Sequence, residues 1–130
     1  MMTNPKLVGW SALATGALLL GAVSFASAQE VTVKMLDTPA SFMPNPVKVK
    51  VGQTVKFVNS GETVHTVTSD PSQAPDPSWA VVPKGADALD SGYMNVGDEY
   101  SYTFKVPGTY KYFCLTHIKE GMKGEIDVAP

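Results

Sequence analysis

The sequence predicts an all-β Greek-key sandwich of about eight strands. Three observations carry this: apolar and polar residues alternate in short runs, Gly or Pro punctuates them, and residues 29–130 show no helical apolar period beyond a turn or two. Val31, Val33 and Met35 alternate with Thr32 and Lys34, the period of a half-buried strand. Val47, Val49 and Val51 alternate with Lys48 and Lys50, and Gly52-Gln53 turns the chain into a strand over 54–58. Residues 63–69 are rich in β-branched side chains and carry His65, so they read as a further strand. Tyr100, Tyr102 and Phe104 alternate with polar neighbours, and Pro107-Gly108 turns into a strand over 109–114 that sets Tyr110, Tyr112 and Cys114 on one face. A last strand covers 124–128.

Two stretches stand outside this rhythm. Residues 70–92 contain Pro71, Pro75, Pro77, Pro83 and Trp79, a long loop for a compact domain. It is expected to cover one edge of the sandwich and pack Trp79 there; the rival reading is a docking surface for a partner. At the other extreme, residues 7–25 are apolar or small throughout, Lys6 is the only charged residue before Glu30, and Ala26-Ser27-Ala28 matches a signal-peptidase site. A signal peptide over 1–28, removed to leave a single domain over 29–130, is therefore expected. The competing reading is a retained membrane anchor, since the run is about long enough to span a bilayer. The small residues and the cleavage pattern favour removal, with no stable membrane insertion afterwards. With no Arg in the chain and no Cys near the signal, twin-arginine export and a lipoprotein anchor are set aside, and the general secretory route to a periplasm is expected.

Ten lysines stand against twelve acids, and no basic run or aromatic-interleaved patch suggests a nucleic-acid partner. No phosphate-binding Gly-rich loop or nucleophile motif points to an enzyme. The single Cys cannot close an internal disulfide, so in an oxidising compartment it is either an odd thiol or already bound to something.

Both His and the one Cys fall into a pattern that settles which. Cys114-Leu115-Thr116-His117 is followed by Met122, and His65 lies upstream on another predicted strand. Singly, a Cys is often a small buried hydrophobe, a strand His a core or surface residue, and a Met a gap-filler, as Met35, Met43 and Met94 are expected to be. Together they spend every Cys and His of the chain on one constellation. A thiolate, two imidazoles and a thioether select copper, and a plane of two His and one Cys with a weak axial Met is the type-1 arrangement. Gly121 and Gly124 let the ligand loop fold close to the ion. A zinc site is disfavoured because Met occupies the position that would be open and no carboxylate accompanies the motif. A copper-delivery protein is disfavoured because the chain lacks a Met-rich or His-rich run.

The stretches Val58-Asn59-Ser60-Gly61 and Pro107-Gly108-Thr109-Tyr110-Lys111-Tyr112-Phe113-Cys114, with Gly121-Met122-Lys123-Gly124, resemble the cupredoxins, plastocyanin and amicyanin in particular. Phe42, Pro44 and residues 47–57 extend the resemblance over nearly all of 29–130, apart from the Pro-rich loop. It implies one copper ion held by His65, Cys114, His117 and Met122, and single-electron transfer between redox partner proteins by a monomer. His117 would be the electron port, within an apolar rim that includes Met43, Pro44 and Leu115. The sequence departs from the family in three places. Thr66 stands where Asn usually braces the two ligand loops. Thr116 stands where Pro is frequent, and its backbone N–H is expected to point at the thiolate. Phe113 replaces the tyrosine of plant-type plastocyanins before the ligand Cys.

Overall fold

The computed structural model describes residues 29–130, with Met2, Gly16, Ala17, Leu20, Gly21 and Ala22 besides. Apart from those six, the expected export segment 1–28 lies outside the described residues. Among the described residues, seven strands form two mixed sheets. They are β1 (Val31–Asp37), β2 (Ala40–Met43), β3 (Val47–Lys50), β4 (Thr54–Asn59), β5 (Glu99–Thr103), β6 (Gly108–Phe113) and β7 (Lys123–Ala129). One sheet has the order β2-β1-β4-β5 and the other β3-β7-β6. β1 runs parallel to β4, with Met35 opposite Asn59, and β3 runs parallel to β7.

Alternation decides which face is buried. On β4, Val55, Phe57 and Asn59 point inward, and on β7 so do Gly124, Ile126 and Val128. Between the sheets, Tyr112 stands edge-on to Phe42 (4.8 Å between centroids) and to Phe57 (5.3 Å). Such edge-to-face pairs add to the burial of their area, so the sheets are locked in one relative placement. Gly124 pairs with Tyr112 across β6 and β7, and the phenol ring lies where a Cβ would stand.

The strand expected over 63–69 does not form as a ladder. Thr68 exchanges backbone hydrogen bonds with Phe113 on one side and bridges to Asp90 on the other. His65 exchanges its pair with Met94. The segment divides its hydrogen bonds between flanking chains, so no continuous strand results, yet His65, Thr66, Val67, Thr68 and Ser69 are all buried. The four-residue β2 lies between Pro39 and Pro44, which mask its pattern in the sequence.

The loop over 70–92 covers the free edge of β6, as expected. Val81 and Lys111 exchange backbone hydrogen bonds, at 3.0 and 2.8 Å. Two one-turn 3-10 helices, Pro71–Gln73 and Pro77–Trp79, are capped by Asp70 and Asp76, whose side chains accept from the N–H groups of Ser72 and Ser78. Trp79 packs edge-on against Phe113, 6.2 Å between centroids.

Candidate metal centre

Cys114 leaves the end of β6 and opens a one-turn helix over Leu115–His117. That turn reverses the chain, and Gly121, at φ +71°, completes the reversal in the left-handed region that favours glycine. The Met122 carbonyl then accepts from the Cys114 N–H at 3.0 Å, which brings Met122 back beside Cys114. His65 arrives from the buried segment over 65–69, held by its exchange with Met94. Two segments, with His65 and Cys114 49 residues apart, thus converge at one end of the sandwich.

Four residues were singled out in the sequence, and the donor atoms of three of them, His65, Cys114 and His117, lie within 4.8 Å of one another. His65 Nδ1 is 3.6 Å from Cys114 Sγ, and His117 Nδ1 is 3.5 Å from it. These spacings can be tested against a bound ion. Donors at about 2.0 Å (imidazole) and 2.3 Å (thiolate) stand about 3.5 Å apart at a tetrahedral angle and about 3.7 Å at a trigonal one. Both observed separations fall in that interval, so the residues fit an ion between them. The imidazoles stack with centroids 4.5 Å apart and 28° between planes. Met122, 1% exposed, packs with Cys114 in the same buried cluster. His65 and Cys114 are fully buried, while His117 is half-buried.

Burial pushes the His65 imidazole below its ordinary pKa and the Asp37 carboxylate only partly offsets this, so the ring is neutral, the form that binds metal. Its Nε2 lies 2.6 Å from Asp37 Oδ1, which assigns the proton to Nε2 and leaves the Nδ1 lone pair facing the sulfur. The backbone hydrogen bond from Glu62, with those from Thr63 and His65, holds Asp37 at a pKa of about 2.

Around the sulfur the structure corrects one expectation and resolves another. The backbone N–H that donates to Cys114 Sγ belongs to Thr66, at 3.3 Å, and not to Thr116. Cys114 is the N-cap residue of the Leu115–His117 turn, yet its side chain accepts no capping bond from that turn. Thr116 meets the sulfur through its hydroxyl, 3.1 Å away, but that hydroxyl gives its proton to the Val64 carbonyl at 2.7 Å and so does not donate to the sulfur. Bracing between the ligand loops is supplied by Thr66, whose hydroxyl accepts from the Leu115 N–H at 2.8 Å. Two residues that sequence reasoning missed also belong here. Asp37 is one. The other is Asn59, whose buried amide donates to the carbonyls of Thr63 and Met94 and accepts from the Gly61 N–H.

The model of the copper binding proteins of the plastocyanin/azurin family matches residues 29–129. The chain belongs to that family. Among curated relatives, the chloroplastic plastocyanin of Physcomitrium patens is 39% identical over 127 residues, spanning 95% of this chain and 71% of that one. The plastocyanin of Scenedesmus fuscus is 39% identical over 103 residues, spanning 76% and 99%. Among solved structures, a Sinorhizobium pseudoazurin superposes with a TM-score of 0.62 at 25% identity, covering 78% of this chain and 74% of that one. An amicyanin variant in its Cu(I) form gives 0.59 at 26%, covering 79% and 85%. Membership makes copper the cofactor of this cupredoxin, and the spacing of the donor atoms agrees with it.

Proposed function

We propose that this protein is an exported type-1 copper electron carrier in which His65, Cys114, His117 and Met122 hold the ion. The observation that carries the reading is the convergence of one thiolate and two inward-facing imidazole nitrogens at 3.5 and 3.6 Å. Bound copper supplies a one-electron Cu(II)/Cu(I) couple. The protein's part is to hold three donors at fixed spacing and exclude water from two of them. Thr66 donates its N–H to the thiolate and stabilises its charge. Burial of His65, Cys114 and Met122 suits a carrier better than a delivery protein, which needs ligands an acceptor can reach.

His117, half-buried where His65 and Cys114 are fully buried, is the port for the electron. Met43 and Pro44 are exposed and Leu115 half-exposed, so they are available for a small apolar docking rim. A weak contact of this kind suits a monomer that must leave its redox partners quickly. Removal of 1–28 and release into a periplasm complete the proposal. Among the described residues no helix is long and apolar enough to cross a membrane.

The test is a visible spectrum of the protein titrated with one equivalent of Cu(II). An intense blue thiolate-to-copper band is expected, bleached reversibly by ascorbate and lost in Cys114→Ser. A pale complex without that band would mean that Cys114 is not a ligand, and the carrier reading would fall.

A further inference from the structure

Asp37 closes β1, and the parallel register that sets Met35 opposite Asn59 carries it alongside Gly61. A Cβ on Gly61 would fall on the Asp37 carboxylate, so only glycine admits that group here. Three donors converge on the carboxylate: the Glu62 backbone N–H, the Thr63 hydroxyl at 2.8 Å, and His65 Nε2 at 2.6 Å. The Thr63 hydroxyl spends its only proton on Asp37. Toward His117 Nε2, a long contact at 3.4 Å, it can therefore only accept. One carboxylate thus holds the outer nitrogen of His65 directly, and its Thr63 donor touches that of His117. The inner nitrogen of His65 is left to face the sulfur, whereas that of His117 lies 3.5 Å from the sulfur and 3.0 Å from the Thr116 hydroxyl, whose proton goes to the Val64 carbonyl.

An imidazole that donates outward to a carboxylate is fixed in tautomer and orientation and becomes a more basic ligand. A more basic ligand favours the doubly charged ion over the singly charged one. We propose that Asp37 is the positioning residue of this site, orienting the His65 imidazole and shifting the balance of the centre toward Cu(II). The inference rests on the copper reading above and adds a residue to it. The cleft that Gly61 leaves for the carboxylate is independent of the hydrogen bonds and points to the same group.

The test is Asp37→Asn in the copper-loaded protein, which keeps a side-chain oxygen for His65 and removes the charge. Cu(II) and Cu(I) affinities are measured by chelator competition, and the potential by voltammetry. The Cu(II) affinity is expected to fall about 10–100-fold. Cu(I) affinity should fall about tenfold less, which raises the potential by about 59 mV for a one-electron couple. Thr63→Val removes one of the three donors but keeps the carboxylate on His65, so it should shift the potential by less than Asp37→Asn does. Should Asp37→Asn fail to fold, Gly61→Ala, which pushes the carboxylate aside, must raise the potential in its place. Equal losses of both affinities, or an unmoved or lowered potential with a normal blue band, overturn the proposal and leave the copper reading standing. Absence of a blue band in the unaltered protein defeats the copper reading itself.

Discussion

Thr66→Val isolates the brace between the two ligand loops. Thr66 is 2% exposed, and its hydroxyl accepts from the Leu115 N–H at 2.8 Å. Valine has nearly the same shape, so packing around the site is retained and the change is confined to one acceptor. The Leu115 N–H is left inside the protein without its partner, at a cost of about 1–3 kcal/mol, the lower half being expected because Leu115 is half-exposed. For a domain of about a hundred residues, each kcal/mol lowers Tm by about 4–8 °C. The assay is thermal unfolding of the metal-free protein followed by circular dichroism, with Thr66→Ser as the control that restores the hydroxyl. The backbone N–H of residue 66 still reaches the sulfur in both variants, so the blue band should survive copper loading. A Thr66→Val protein within about 0.5 kcal/mol of the parent, the spread of an ordinary surface change, would refute the bracing role.

Two further perturbations probe the scaffold. Gly124→Ala would set a Cβ 2.5 Å from the Tyr112 ring, whose other sides are held by Phe42 and Phe57, so overpacking should cost about 1–3 kcal/mol. Urea unfolding checks this, and unchanged stability would mean that the β6–β7 pairing is looser than described. Acidification of the metal-free protein should destabilise it in two steps. The His65 pKa is held below its ordinary 6.5, so the unfolded chain takes up that proton first and stability falls as pH drops below 6.5. The Asp37 contribution, present above pH 3.8, is lost as pH falls toward 2, and Asp37→Asn should abolish that step. Unfolding followed against pH reads both steps, and a rise in stability between about pH 7 and 5 would contradict the first.

The ligands were legible in the sequence because scarcity made them so: two His and one Cys leave few ways to read Cys114-Leu115-Thr116-His117 with a distant His65. Strands with a buried and a solvated face, such as β3 and β7, were legible from their alternation. Residues 63–69 misled because β-branched composition reports a strand-like backbone, whereas a ladder also needs one continuous partner, and Thr68 divides its bonds between two. Asp37 was illegible for a different reason. It lies 28 residues before His65, and only the parallel pairing of β1 with β4 carries it to the loop that Gly61 leaves open. No local pattern encodes the register of a parallel pair. The N–H at the sulfur was expected from Thr116 and comes from Thr66, because turn geometry, rather than residue type, decides which N–H faces the sulfur.

The restraints on the three donors are unequal, and the inequality bears on electron transfer. Cys114 is tied by its own N–H to Met122 and by the Thr66 N–H at its sulfur. His65 is fully buried and anchored at 2.6 Å to a carboxylate with three donors on it. None of these bonds needs the ion, so the spacing of sulfur and first imidazole belongs to the scaffold. His117 is half-buried, and its ring meets two hydroxyls, Thr116 at 3.0 Å and Thr63 at 3.4 Å, where His65 has a carboxylate. The imidazole that solvent can reach is thus the one with no carboxylate behind it, and adjustment to a change of charge is expected there rather than at His65.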